Sequence, residues 1–299
     1  MKYTFLTLYA VLFSWLTYAQ KNSPKKEEWI QLFNGKDLTG WDIKIADRKL
    51  NDNYKNTFRV QDGIFRISYD EYQDFDEKYG HIYYNKPYSY YKLRFEYRFV
   101  GNQTKGGASW NVRNSGIMLH SQSAASLSMG QTFPVSLELQ LLGGLGNGER
   151  HTANLCTPGT QVHINGKLNT QHCIDSWSKT YDGDQWVTVE AIVLGDSLIQ
   201  HIIDNQVVFS YEKPEVGGGF VSKDHSWKDG HFDEISANEW IKKDGTPLKE
   251  GYIALQAESH PIDFRKVELL DLKGCMDPKA LNFKSYYIKS DNSLCKYRK

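Results

Sequence analysis

Three stretches set chemically able side chains on strand-like alternations. In RNSGIMLH, Arg113 to His120, a period of two puts Ser115, Ile117 and Leu119 on one face. The other face carries Asn114, Gly116, Met118 and His120, where a solvated strand would show Lys, Glu and Thr. VSLELQLLGG sets Glu138 and Gln140 against Leu137, Leu139 and Leu141, and YIALQAES brings Gln256 and Glu258 into the same pattern. Glu96 and His201 take polar positions on further strands, Arg265 lies on the last strand, and His151 sits in a loop close to Glu149. One concave face carrying these groups suits a polyhydroxylated ligand, because amides and carboxylates make directional hydrogen bonds to hydroxyls and paired acids move protons. The bland alternative is a solvated outer face with incidental charges.

Other chemistries lack their residues. The chain has no GxSxG elbow, no phosphate-binding P-loop, no HExxH and no dinucleotide fingerprint. Lys+Arg and Asp+Glu balance at 36 each, so no net field favours nucleic acid or a membrane surface. With 14% aromatic residues, the composition suits strands and also suits stacking on sugar rings.

The elements that must position these residues are strands. FRVQDGIFRIS holds a hairpin around Asp62-Gly63, and YYKLRFEYRFVG alternates Leu93, Phe95, Tyr97 and Phe99 with charged residues. QWVTVEAIVLGDSLIQHIIDNQVVFSYEKP reads as three strands turning at Gly195-Asp196 and Asp204-Asn205, and Pro261 breaks the last pair. Helical periodicity is confined to turns near Ser123–Met129 and Asn238–Ile241. Many short strands with long polar insertions predict an all-β antiparallel sandwich or jelly roll. The Gly- and charge-rich insertions at 143–154 and 216–233 are expected to rim a site.

MKYTFLTLYAVLFSWLTYAQ reads as a signal peptide over residues 1–19, followed by a polar linker at 20–28. No Cys follows the apolar run and no later run is long enough to span a bilayer, so a soluble, exported protein is expected, periplasmic or extracellular. Export permits disulfides, and the local pairs Cys156 with Cys173 and Cys275 with Cys295 are the favoured connectivity. The segment 273–299 resembles a small Cys-bounded module found at the ends of bacterial secreted proteins. In it Asp277, Asn282 and Asp291 are either turn residues or oxygen ligands for calcium, the turn reading being preferred.

LFNGKDLTGW, RNSGIMLH, LELQLLGG, GDQWVTVEAIVLGDSLIQHIIDNQVV and YIALQAESHPIDFRKVEL occur in the order seen in the 3-keto-disaccharide hydrolase family, and residues 29–272 resemble it. The resemblance implies a concanavalin-like jelly roll in an exported glycan-degrading enzyme. Its substrate would be a glycoside already oxidised at C3, supplied by a separate sugar 3-oxidoreductase. A C3 ketone acidifies the C2 proton, so a base can form an enolate that expels the C1 substituent, after which water adds back. Direct hydrolysis across two carboxylates is the rival route, and a lectin-like module of the same fold is the non-catalytic alternative. A structural or adhesive surface protein, attached through its C-terminal module, is a third.

The carry-over falls on Asn114, Glu138, Gln140, Gln256, Glu258 and Arg265. Where many members have Asp-His after the LQ, this chain has Ala257 and Glu258, which moves the expectation to the carboxylate. Glu138, Glu258 and His120 are the expected catalytic groups, and Asn114, Gln140, Gln256, Arg265, Glu96, His201 and His151 the substrate-binding ones. Gly116 is expected to leave room for a sugar ring. No cofactor is required by the sequence, and the oxygen-rich face leaves a divalent ion polarising the ketone open. The GGASWNVRNSG and GERHTANLCTPG segments mark a subgroup whose rim differs from simpler members.

Overall fold

The computed structural model describes residues 26–220 and 226–298. The signal-peptide segment lies outside the described residues. Strands follow in chain order as β1 (Ile30–Gln31), β2 (Trp41–Ile45), β3 (Phe58–Gln61), β4 (Ile64–Ile67), β5 (Gly80–Tyr84) and β6 (Tyr90–Phe99). Next come β7 (Asn114–Ser121), β8 (Leu137–Leu142), β9 (Asn154–Cys156), β10 (Thr160–Ile164), β11 (Lys167–Asn169) and β12 (Cys173–Ile174). The chain continues with β13 (Val187–Leu194), β14 (Ile199–Ile203), β15 (Gln206–Val216), helix α1 (Glu234–Ile241), β16 (Tyr252–Ala257) and β17 (Ile262–Asp271). Two short strands, β18 (Lys273–Gly274) and β19 (Lys289–Ser290), complete it.

Among the described residues, β12-β9-β8-β7-β16-β5-β2 form a seven-stranded antiparallel sheet. A ten-stranded sheet runs β11-β10-β15-β14-β13-β6-β17-β4-β3, with β1 on β17. The two make a jelly-roll sandwich. Its core takes one residue in two from each strand: Leu137, Leu139 and Leu141 from β8 meet Leu93, Phe95 and Tyr97 from β6, all essentially inaccessible to solvent. Each such side chain contributes ~1.5–3 kcal/mol of hydrophobic stabilisation. Because side chains alternate, every inward leucine of β8 commits its neighbour to the opposite face, and this alternation aims Glu138 and Gln140 outward.

The expected turns are present. Asp62 and Gly63 both adopt positive φ (53° and 73°) between β3 and β4, the conformation a two-residue hairpin demands, and Asp204 and Asn205 do so between β14 and β15. The helical turn expected at Asn238–Ile241 is a longer helix. It starts at Glu234 because the Asp233 side chain accepts a hydrogen bond from the Ser236 amide at 2.8 Å. No helix among the described residues is long and apolar enough to cross a membrane.

The described chain divides into two compact units, Trp29–Asp271 and a second made of residues 272–298 with 26–28. The second unit holds the Cys275–Cys295 disulfide and a parallel β18–β19 pairing. Its three oxygen-bearing side chains staple turns. Asp277 accepts from the Lys279 amide at 2.9 Å and from the Tyr297 hydroxyl at 2.7 Å. Asn282 bridges Leu294 and Lys296, and Asp291 accepts from Ser293.

Candidate active site

On the outer face of the seven-stranded sheet, β8, β7, β16 and β5 lie side by side. Their registers set Gln140 opposite Gly116 and Glu138 opposite Met118, then Ala254 opposite Met118 and His81 opposite Gln256. Over this floor opens a cavity of about 930 Å³, lined on the strand side by Asn114, Glu138, Gln140 and Glu258. Both acids are deeply sunk: Glu138 is 6% exposed and Glu258 2%.

Gly116 is occupied space. A Cβ at this position would lie 2.4 Å from Oε1 of Glu138, 2.6 Å from its Cγ and 2.8 Å from its Cδ. The missing side chain makes room for the Glu138 carboxyl, which folds back over its neighbouring strand. This corrects the expectation that Gly116 leaves room for the sugar. Gly116→Ala is therefore expected to displace Glu138, cutting kcat at least tenfold while costing ~1–3 kcal/mol of stability, read by kinetics and thermal melting.

Burial disfavours charge on both acids. It pushes the Glu138 carboxyl up to about 8. Glu258 is raised well above the ordinary range, first by burial and then by the negative charge of Glu138. Both carboxyls therefore favour the protonated form, and a negative charge on one disfavours ionisation of the other, so the pair gives up its protons one at a time. Oε2 of Glu258 has no protein hydrogen-bond partner. The singly ionised pair combines a base and an acid in one water-poor site, the pattern expected of acid–base catalysis.

The remaining polar groups divide by location. Gln140 accepts from Asn154 at 3.0 Å, which fixes its amide, and Asn114 donates to the Trp110 carbonyl at 3.2 Å while its Oδ1 stays unpartnered. Gln256 lies fully buried in the floor, and neither its amide atoms nor the ring nitrogens of His81 opposite have protein partners. Burial pulls His81 down to about 3, so its ring is neutral.

The other expected site residues lie elsewhere. His120 has a positive φ of 48° at a register shift between β7 and β16, and its Nε2 reaches the Gly195 carbonyl at 3.0 Å. The bulge draws it away from the cavity, and burial lowers it to about 4. His201 shares the inward parity of Ile199 and Ile203, packing in the core between the Ala153 carbonyl (2.9 Å) and Tyr211. Glu96 and Arg265 pair with each other on the ten-stranded sheet, where Lys266 also binds Glu96 and Arg265 lies over the Trp186 ring. His151 bonds the Ser178 carbonyl. None of these five lines the cavity.

Sequence reasoning missed the loop side of the cavity, which holds Trp110, Phe133, Arg150, Pro158, His172 and Phe220. Nη1 of Arg150 donates to the carbonyls of Val112 (2.7 Å), Gly143 (2.8 Å) and Arg113 (3.3 Å), so the guanidinium is anchored by backbone rather than by a carboxylate. The Cys156–Cys173 disulfide is formed, joins directly opposed residues of β9 and β12, and lines the cavity beside Glu138, whose register partner is Cys156. The signal for these residues was the subgroup loops: Trp110 lies in GGASWNVRNSG, and Arg150, Cys156 and Pro158 in GERHTANLCTPG.

A divalent cation would need several ligand atoms gathered at one point. Among the described residues, the one trio of His, Cys, Asp or Glu ligand atoms drawn together is Cys156, His172 and Cys173, and its sulfurs are tied in the disulfide. Among the described residues, Glu138 and Glu258 have no third acidic or imidazole ligand gathered with them.

Fold and site together define an antiparallel jelly roll with a buried carboxyl pair in a cavity on one outer face. Residues 28–270 match the model of the 3-keto-alpha-glucoside-1,2-lyase-like domain, and the chain belongs to that family. No curated protein matches the chain in sequence. Among solved structures it is similar to a candidate glycosyl hydrolase from Parabacteroides distasonis, at 19% identity and a TM-score of 0.47, covering 82% of this chain and 94% of that one. It is also similar to the carbohydrate-binding module CBM66 from Bacillus subtilis, at 10% identity and a TM-score of 0.36, covering 82% and 96%. A Bacillus subtilis protein of unknown function with a galectin-like fold is similar at 10% identity and a TM-score of 0.39, covering 82% and 97%. At these scores the likenesses bear on neither substrate nor chemistry.

Proposed function

We propose that the protein cleaves the glycosidic bond of 3-keto-glucosides, disaccharides included, by elimination and rehydration. The observation that carries this reading is the buried Glu138–Glu258 pair in the cavity, both of whose carboxyls burial holds above the ordinary range. Ionised Glu138 removes the C2 proton, acidified by the C3 ketone. The C2–H electrons form the enolate, which collapses to a C1–C2 double bond as the C1–O bond breaks, and Glu258 protonates the departing oxygen. Water then adds at C1, giving its proton to Glu258, while Glu138 returns a proton to C2. The sum is hydrolysis, and both acids end as they began. Through each half-reaction the site, carboxyl pair and substrate together, carries a single negative charge that passes from Glu138 to the enolate and then to Glu258, so a buried site never gains a second one.

In this reading Asn114, Gln140 and Arg150, which line the cavity, hold the sugar hydroxyls. The substrate must come from an oxidoreductase acting at C3 of the sugar. Two formed disulfides agree with an exported protein. Incubation of purified protein with a 3-keto-disaccharide should release monosaccharide, and the unoxidised disaccharide should stay intact. Binding of both without release would instead mark a lectin-like module.

The pair also sets a pH dependence. Glu138 must be ionised, so kcat/KM should rise with pH through about 8 and level off above it, falling again only where Glu258 ionises. A rate already at its plateau by pH 6 would remove Glu138 as the base.

A further inference from the structure

The cavity is chemically divided. Its strand side carries Asn114, Glu138, Gln140 and Glu258 beside Leu142 and the Cys156–Cys173 disulfide, while its loop side, apart from Arg150, His172 and Asp229, is apolar. Four rings run in sequence there: Trp110 stacks on Tyr79 at 6.2 Å with 8° between planes, Tyr79 meets Phe133 at 4.9 Å, and Phe133 meets Phe220 at 6.3 Å. Three of the four line the cavity, joined by Leu142 and Pro158. Trp110 lies parallel to Tyr79 and is 53% exposed, so much of its ring is open to a ligand.

We infer that this wall receives the leaving group, and that the preferred substrates are 3-keto-glucosides whose aglycone is aryl-bearing rather than a second sugar. The inference rests on the proposed reaction and narrows its substrate class. One sugar ring over Glu138 and Glu258 uses the polar floor. About 930 Å³ exceeds what one ring fills and lies near the top of the ~300–1,000 Å³ range of small-molecule sites. A second sugar could lay one C–H face on a ring, but its edge hydroxyls would then lie against Phe133, Phe220, Leu142 and Pro158, whose side chains offer no hydrogen bond. A planar apolar group would bury its area there and stack on Trp110.

The test compares methyl and benzyl 3-keto-glucosides with a 3-keto-disaccharide, all of which release an aliphatic alcohol that needs a proton from Glu258, so the chemistry of departure is of one kind. We expect kcat/KM for the benzyl glycoside at least tenfold above that for the disaccharide, and Trp110→Ala should bring the benzyl-to-methyl ratio down toward one. A disaccharide turned over as well as the benzyl glycoside, or a ratio unmoved by Trp110→Ala in a folded variant, would overturn the inference. If no 3-keto-glycoside reacts, the reaction itself fails. Tryptophan-fluorescence titration with benzyl glucoside against maltose then decides the aglycone site alone, tenfold tighter benzyl binding supporting it and equal binding overturning it.

Discussion

Glu138→Gln is expected to lower turnover of a 3-keto-glucoside by ~10²–10⁴-fold, the range over which positioned acid–base groups act. The amide keeps the shape and the fold of the side chain over Gly116, so substrate affinity should change by less than about threefold. The same variant should be more stable than wild type above neutrality. A carboxyl at about 8 in the folded protein against an ordinary value of 4.5 holds its proton more tightly when folded. Wild type therefore loses stability as pH rises from about 4.5 to about 8, by up to ~1.4 kcal/mol per pH unit for this one group, and loses no more above that window. Glutamine titrates nowhere. The melting temperatures of the two proteins should coincide near pH 4 and separate toward pH 8, with the variant higher. Loss of activity with no such separation would make Glu138 an ordinary solvated carboxylate that merely binds substrate.

Glu258→Gln carries the second large effect, and it should depend on the leaving group. With a sugar or alkyl alcohol departing, the oxygen needs a proton, and removal of the acid should cost ~10²-fold or more. With a 4-nitrophenol departing, the phenolate leaves unaided and the loss should shrink to less than about tenfold. The high-pH fall in rate, which ionisation of Glu258 produces in wild type, should vanish in the variant. Equal losses for both leaving groups would assign Glu258 to holding hydroxyls.

Alternation made the sandwich legible. The leucines of LELQLLGG and the aromatics of YYKLRFEYRF declare which side of each strand is core, and Asp62-Gly63 and Asp204-Asn205 declare turns. The same rule brought Glu138, Gln140 and Asn114 to one face. It could not assign strands to sheets. Glu96 and Arg265 point outward just as Glu138 does, yet from the other layer, so the sandwich stands between them and the cavity. Sheet membership is decided by pairing between strands far apart in the chain, such as β6 with β17, and period-two patterns carry no trace of it. His201 was a different error. Its parity with Ile199 and Ile203 placed it in the core, and its polarity hid that.

His120 defeated alternation through a bulge, because one extra residue reverses the facing of the rest of the strand. Gly116 was visible as a missing side chain, but which group fills the space depends on a cross-strand neighbour 22 residues away in sequence, Glu138. The aromatic wall comes from separate loops around Trp110, Phe133 and Phe220, whose closure over the sheet has no period to read.

The central claim is that C2–H cleavage precedes loss of the aglycone, and solvent deuterium reports it directly. A 3-keto-glucoside cleaved in D₂O should yield 3-keto-glucose carrying one deuterium at C2 from its first turnover, faster than the free product exchanges unaided, with no label incorporated by Glu138→Gln. Product released at full rate with protium retained at C2 would contradict elimination and assign the carboxyl pair to direct hydrolysis.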